Sequence, residues 1–218
     1  MINIAIDGPA GAGKSTVAKA VAKKFGFIYV DTGALYRSIS VNALKHCIET
    51  TDTEKVIAML PETNVELKYI DGTQRVFLNG EDVSEEIRLP EASMAASNVS
   101  AIPAVREFLL DLQRDMAKNH NVVMDGRDIG TVILPDAQYK FFLTASAEVR
   151  ADRRYKELTE KGIEVDYNAL LEEIVQRDYN DSHRETAPLR QAEDAILIDS
   201  SNLTLEESIE AIANKIKV

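Results

Sequence analysis

The stretch "INIAIDGPAGAGKST" (residues 2–16) joins an apolar run to a glycine-rich loop close to the start of the chain. Gly8, Gly13, Lys14 and Ser15 match the spacing G-x-x-x-x-G-K-[ST], and helix-like sequence follows the loop. Strand, loop and helix in this order are the context that a phosphate-binding loop requires, because successive N–H groups and the helix N-terminus then face an anion. The stretch predicts an α/β fold that binds a nucleoside triphosphate.

The residue types in the loop predict distinct contacts with a nucleoside triphosphate and Mg²⁺. Lys14 would reach the β- and γ-phosphates, and Ser15 would ligate the metal ion directly. The alternative is an ordinary glycine-rich turn with a solvated lysine. The predicted ATP-binding residues are Gly8, Pro9, Ala10, Gly11, Ala12, Gly13, Lys14, Ser15 and Thr16.

Strand-like runs alternate with helix-length segments along the chain, which indicates a parallel sheet with crossover helices. The predicted strands are residues 2–6, 28–30, 122–124, 139–143 and 196–198. Between about residues 50 and 100 the pattern changes. There "NVELKYI", the turn "DG" (residues 71–72) and "QRVFLNGEDV" indicate a hairpin inserted into the α/β core. After it, "PAVREFLLDLQRDMAK" predicts a helix behind Pro103.

Composition narrows the class of protein. The formal net charge of the 218 residues is −11, which argues against nucleic acid as a main partner. The longest apolar runs fall far short of the roughly 20 residues that a membrane span needs, and nothing resembles a secretory signal. We therefore expect a cytoplasmic protein without a membrane partner. Cys47 has no second cysteine to pair with, and its helix-like surroundings predict that it is packed against neighbours.

Charged residues follow two of the predicted strands. "DTGALYR" places Asp31, Thr32 and Arg37 at the end of a strand, where ligands of open α/β sheets bind. Asp31 or Thr32 could instead cap the helix that begins near Ala34, and for Thr32 the two interpretations stay open.

The stretch "VVMDGRDIG" adds Asp125, Arg127 and Asp128 at the same edge of the predicted sheet. An aspartate at this place is typical of a phosphate-loop site, where Asp125 would hold Mg²⁺ through water. The alternative for Arg127 is a salt bridge to one of the two aspartates.

Two helix-like segments carry clustered arginines. "AEVRADRRYKEL" places Arg150, Arg153 and Arg154 on one helix face, and "QRDYNDSHRETAPLR" places Arg177, Asp181 and Arg184 on another. Solvated helix faces would look similar. However, guanidinium groups suit phosphate oxygens, and transfer of a phosphoryl group to a second phosphate needs several of them, whereas a hydrolytic switch needs one.

Taken together, these motifs resemble those of the bacterial cytidylate kinases, the short type of the nucleoside monophosphate kinases, over essentially the whole chain. The resemblance rests on "IDGPAGAGKST", "DTGALYR", "GEDVSEEIR", "AAS" before "PAVRE", "DGRDIGTV", "ADRRYKEL", "RDYNDSHRETAPL" and "AILIDSS". It implies a P-loop NTPase fold with a five-stranded parallel sheet flanked by helices, a small antiparallel insertion that binds the monophosphate, and a helical lid. The implied divisions are a core (residues 1–50, 101–146 and 191–218), an insertion (about 51–100) and a lid (about 147–190).

The resemblance also implies the reaction and the roles of individual residues. A monomer would transfer the γ-phosphoryl group of ATP to CMP or dCMP. Implied ligands of CMP are Arg37 and Arg127 for its phosphate, Ser97, Arg106 and Asp128 for cytosine, and Thr32, Arg177 and Asp181 for the sugar. Thr32 stands where relatives have serine, so the hydroxyl is retained. The implied catalytic residues are Lys14, Arg127, Arg153, Arg154 and Arg184.

Two alternatives remain at this point. The first is another small P-loop kinase, acting on UMP, AMP, a deoxynucleotide or a non-nucleotide such as shikimate. The second is a nucleotide-dependent switch that hydrolyses its ligand slowly and binds a protein partner. The base-contacting residues favour a nucleotide acceptor, and the sequence provides no clear water-positioning residue for a switch.

Overall fold

The computed structural model describes residues 1–70 and 73–217, which form eight β-strands and eight α-helices. The predicted "DG" turn at residues 71–72 lies outside the described residues. The strands are β1 (Asn3–Asp7), β2 (Ile28–Asp31), β3 (Val65–Ile70), β4 (Thr73–Leu78), β5 (Glu81–Asp82), β6 (Val122–Gly126), β7 (Tyr139–Thr144) and β8 (Ile196–Asp199).

The helices connect these strands, and none of those described is both long and apolar enough to cross a membrane. They are α1 (Lys14–Phe25), α2 (Thr32–Lys45), α3 (Thr53–Met59), α4 (Pro90–Ser100), α5 (Pro103–Asn119), α6 (Ala147–Glu160), α7 (Tyr167–His183) and α8 (Leu205–Ala213). Leu60–Glu62 and Glu86–Arg88 form short 3-10 helices, and Ile129–Ile133 forms one turn of π-helix.

The larger sheet confirms the predicted α/β fold. Its strand order is β2-β6-β1-β7-β8. The central strand β1 pairs in parallel with β6 and β7, and β8 pairs in parallel with β7. The register places Ile6 opposite Asp125 and Asp7 opposite Gly126. The polar residues that follow β1 and β6 therefore leave the sheet side by side at its carboxyl edge, where α/β folds bind ligands.

The chain divides into two compact units, and the first comprises Met1–Tyr29 and Asn119–Val218. Its core is an apolar cluster to which the sheet and two helices contribute. The helices α1 and α8 pack against each other. Representative buried members are Ile4 of β1, Val21 of α1, Val123 of β6, Phe141 of β7 and Ile212 of α8.

The second unit, Val30–Lys118, has its own apolar core and a three-stranded sheet in the order β3-β4-β5. The antiparallel pairing of β3 with β4 confirms the predicted hairpin, and β5 adds a strand that the pattern did not predict. The unit also includes α2 and α5, which flank the predicted insertion in sequence and bury Leu35 and Leu109 in the same core. The division into core, insertion and lid stays a prediction.

The interpretation of Cys47 as a packed residue is wrong. The helix α2 ends at Lys45, and Cys47 follows in a left-handed conformation (φ 54°) with its side chain exposed. The Ile48 N–H donates to the Ala43 carbonyl, which turns the chain back over the helix end. Ile48, rather than Cys47, therefore packs against the core.

Candidate active site

The phosphate loop lies between β1 and α1, and two of its glycines adopt conformations that other residues rarely adopt. Gly8 has a φ of 149°, and a Cβ atom there would lie 1.9 Å from the carbonyl oxygen of Leu143. Gly13 is left-handed (φ 83°) directly before α1 begins at Lys14. The loop thus reaches the helix N-terminus in the form that anion binding requires.

Lys14 is only 6% exposed, and its Nζ donates a hydrogen bond to the Pro9 carbonyl oxygen at 2.7 Å. Burial and the positive charge of Arg127 lower the pKa of Lys14 to about 7, although the nearby carboxylates oppose this shift. An ammonium group held under these conditions would gain from a bound anion, because the negative charge of a phosphate offsets the cost of burial and the repulsion by Arg127.

Ser15 and Asp125, the two predicted metal residues, lie together. The Ser15 hydroxyl donates to Asp125 Oδ2 at 2.9 Å, and the Tyr29 hydroxyl donates to Asp125 Oδ1 at 2.8 Å. Hydroxyl and carboxylate oxygens are ligands that suit Mg²⁺, which usually keeps several waters and uses substrate phosphates as well. Among the described residues no group of three His, Cys, Asp or Glu could hold a metal without the nucleotide. The residues therefore fit a magnesium ion shared with phosphates.

Asp7 is a buried site residue that the sequence analysis missed. It is 4% exposed, and its two carboxylate oxygens accept hydrogen bonds from the N–H groups of Ile129 and Gly130, each at 2.7 Å. Burial raises the pKa of Asp7 to about 7, although the two backbone N–H groups and Lys14 lower it. Asp7 thereby fixes the turn that follows Asp128. Its place at the end of a strand, like that of Asp125, was the available signal.

Arg127 pairs with an aspartate far away in sequence. Its Nε donates to Asp181 Oδ2 at 2.8 Å, rather than forming the predicted alternative of a salt bridge within its own motif. Burial raises the pKa of Asp181, but the charge and hydrogen bond of Arg127, together with the charges of Arg177 and Arg184, outweigh this and lower it below its usual value. Arg184 Nη2 lies 3.7 Å from Asp128 Oδ1. Four of the predicted site residues are therefore brought together in the first unit.

The other predicted arginines have different neighbours. Arg153 donates to the Ser200 carbonyl oxygen at 2.7 Å, whereas Arg154 forms an ion pair with Glu157 on the surface of α6. Arg177 lies in α7, half-buried, and its charge acts on Asp181.

The predicted continuous helix face from Arg177 to Arg184 is wrong at its end. The helix α7 ends at His183, and Arg184 is extended (ψ 145°). Its Nε and Nη2 donate to the Ala187 carbonyl oxygen, so its side chain follows the chain beyond the helix.

In the second unit, Asp31 and Arg37 form an ion pair at 2.9 Å. Asp31 is the N-cap of α2, and its other carboxylate oxygen accepts from the Ala34 N–H at 3.0 Å. Thr32 is the first residue of the helix and is buried. The capping role therefore belongs to Asp31, and the prediction of Thr32 as a ligand stays open.

The remaining two predicted residues of this unit lie in α4 and α5. Arg106 is buried in α5, where its Nη1 donates to the Ser100 carbonyl oxygen at 3.2 Å and its guanidinium lies 5.5 Å from the centre of the Tyr36 ring. Ser97 lies in α4 and is half-buried. The role of both residues at the base stays a prediction.

Comparison with known proteins gives concordant results. A family model described as cytidylate kinase matches residues 4–218. The chain is 58% identical over 211 residues to a cytidylate kinase of Caldicellulosiruptor saccharolyticus, covering 97% of this chain and 93% of the relative. It is 57% identical over 216 residues to that of Caldanaerobacter subterraneus subsp. tengcongensis, covering 99% and 95%.

A solved structure supports the fold alone. The chain is similar to a shikimate kinase from Bacteroides thetaiotaomicron with a TM-score of 0.50, 14% identity, and coverage of 100% of this chain and 99% of the other.

Proposed function

The chain belongs to the cytidylate kinase family, and we propose that the residues described above carry out the family's reaction in the following way. The enzyme is an ATP-dependent kinase of CMP and dCMP. The observation that carries the proposal is the proximity of Ser15, on the phosphate loop, to Asp125 at the end of the neighbouring strand. This pairing supports a site for the triphosphate and its metal ion.

The phosphate loop binds the donor. Backbone N–H groups of residues 8–16 and the N-terminus of α1 surround the phosphates, and Lys14 neutralises charge on the β- and γ-phosphates. Ser15 would hold Mg²⁺ directly and Asp125 would hold it through water. The metal ion, when bound, offsets the charge that develops on the phosphate oxygens.

Each part of the acceptor has its own set of proposed contacts. Arg37 and Arg127 bind its phosphate, because guanidinium groups pair well with phosphate oxygens. The cytosine contacts are Ser97, Arg106 and Asp128, and the sugar contacts are Thr32, Arg177 and Asp181.

The reaction needs positioning and charge neutralisation rather than a strong base. An oxygen of the CMP phosphate attacks the γ-phosphorus, the bond to the β-bridging oxygen breaks, and ADP leaves with the electron pair. Because the attacking phosphate is already ionised, no side chain has to remove a proton. Arg153, Arg154 and Arg184 neutralise charge on the transferring group. The enzyme acts as a monomer in the cytoplasm.

The test separates acceptor recognition from donor binding. We expect Asp128→Asn and Arg106→Met to raise the KM for CMP about tenfold or more, because a polar site that loses its partner costs about 1–3 kcal/mol. The KM for ATP should change less than about twofold, since neither residue is among the proposed donor contacts. Steady-state kinetics with each substrate varied in turn give both constants.

Matched controls are the exposed residues Asp136 and Arg88, changed to Asn and Met. Both controls should keep the constants of the parent enzyme. Equal effects of Asp128→Asn on the two constants would contradict its role at the base.

A further inference from the structure

Arg150 is among the most buried charged residues of the chain. It lies in the first turns of α6 and is 3% exposed, although the helix around it is rich in solvated charged residues. A buried guanidinium persists only where hydrogen bonds replace its water. The partners of Arg150 therefore indicate why it is there.

These partners belong to three separate elements of the first unit. Nε donates to the Ala145 carbonyl oxygen after β7 at 2.9 Å. Nη1 donates to the Ala10 carbonyl oxygen of the phosphate loop at 3.0 Å and to Asp178 Oδ1 of α7 at 3.0 Å. Nη2 donates to Asp178 Oδ2. One side chain thus joins the sheet, the phosphate loop and α7.

The aliphatic part of Arg150 also faces the phosphate loop. Gly11 is left-handed (φ 75°), and a Cβ atom on it would lie 3.4 Å from the Cβ of Arg150. The side chain therefore lies along the loop beside the residues that would bind phosphates, as well as touching it through the carbonyl of Ala10.

The other end of this link is the part of α7 that carries predicted acceptor ligands. Asp178 directly follows Arg177 and precedes Asp181 by three residues, so Asp178 and Asp181 share a helix face. Asp181 is itself paired with Arg127. Two ion pairs, Arg150–Asp178 and Arg127–Asp181, therefore fix the same turn of α7.

We propose that Arg150 is a positioning residue that links the phosphate loop to α7, so that a triphosphate bound in the loop strengthens the binding of CMP. Nη1 of Arg150 donates to both the Ala10 carbonyl oxygen and Asp178. When nucleotide binding shifts the Ala10 carbonyl, the guanidinium moves with it, and α7 follows through Asp178. The inference rests on the proposed role of Arg177 and Asp181 as sugar ligands.

Calorimetry tests this link. The dissociation constant of CMP is measured with and without a saturating non-hydrolysable ATP analogue and Mg²⁺. For the parent enzyme we expect the analogue to tighten CMP binding about tenfold, within the usual range for coupling between sites. In Asp178→Asn the ratio of the two constants should fall to within about twofold of one, and Asp178→Glu should restore part of it.

The control is Glu173→Gln, which removes the same charge from an exposed position of α7 and should keep the ratio of the parent.

Arg150→Met removes the link at the phosphate loop and should lose the coupling as Asp178→Asn does. If Arg150→Met fails to fold by circular dichroism, Asp178→Asn decides. A lower melting temperature of Asp178→Asn with the parental ratio would mean a structural role only and would overturn the proposal. A parent enzyme without coupling would overturn it as well.

Failure of the inference can be told from failure of the proposed site. If Asp181→Ala weakens CMP binding but Asp178→Asn keeps the coupling, the sugar site stands and the link is wrong. If neither Asp181→Ala nor Arg177→Ala changes CMP binding, the proposed sugar site is wrong, and the link to it is overturned with it.

Discussion

Asp7 shows what a single buried residue contributes beyond the motif in which it lies. It holds the N–H groups of Ile129 and Gly130 in place, directly after Arg127 and Asp128. Asp7, which directly precedes the phosphate loop, therefore fixes the turn next to Arg127 and Asp128, two residues proposed to bind the acceptor.

The raised pKa of Asp7 predicts a pH dependence of stability. Its pKa is about 7 in the folded protein and about 4 in an unfolded chain, so between these values the folded state binds more protons. The contribution of Asp7 to stability should therefore fall as the pH rises from about 4 to about 7, by as much as about 4 kcal/mol, and then level off. The Asp7→Asn variant has no carboxyl group to titrate here and therefore lacks this pH dependence. Urea unfolding across the pH range should show the parent losing stability relative to the variant, and a relative gain would contradict the raised pKa.

Some of these residues could be predicted from sequence and others could not. Lys14 and Ser15 belong to a local pattern whose spacing fixes their place on a loop and a helix. The partners of Asp7, Arg127 and Arg150 are separated from them by 122, 54 and 28 positions in sequence. No local pattern reports such a contact, because it arises only when the sheet and α7 assemble.

At the scale of elements, apolar periodicity predicted the larger sheet well and element ends less well. All five predicted strands are present, because strands of this kind are short, apolar and followed by turn residues. The strand β5 has only two residues, too few to form a pattern. The ends of α2 and α7 were missed because neither carries the glycine or proline that usually signals a helix end. The left-handed residue after α2 is Cys47, and the extended residue after α7 is Arg184.

The segment with α6 and α7 should respond to substrates as one element. If it closes over the transferring group, bound phosphates must draw in Arg153, Arg154 and Arg184, and water is excluded. We expect its backbone amides, about residues 150–190, to exchange hydrogen more slowly with ADP and CDP together, and only partly so with either alone.

The reference segment for this exchange measurement is α8, which begins with a capping box of Thr204 and Glu207. Exchange there should be the same with and without nucleotides. Unchanged exchange in residues 150–190 at saturation of both sites would contradict the lid and leave its arginines as a solvated helix face.

At the scale of the whole molecule, each of the two compact units contains some of the residues proposed to bind substrates. The first contains the phosphate loop, Asp125, Arg127 and α7, and the second contains Arg37, Ser97 and Arg106. The class of fold followed from the strand–loop–helix order at the start of the chain. The residues for the acceptor followed from the motifs that resemble one family, because residue periodicity does not encode which base a pocket accepts.

The central claim is that the enzyme transfers the γ-phosphoryl group of ATP to CMP and dCMP, and a coupled assay of ADP formation tests it most directly. The assay compares CMP, dCMP, UMP, AMP and shikimate as acceptors, with Lys14→Ala as the inactive reference and its circular dichroism as the check on folding. The account predicts the highest kcat/KM for CMP and dCMP, a value about tenfold or more lower for UMP, which lacks the exocyclic amine, and little ADP formed without an acceptor. It would be contradicted by AMP or shikimate as the better acceptor, by ADP formation that needs no acceptor, or by a Lys14→Ala variant within about tenfold of the parent.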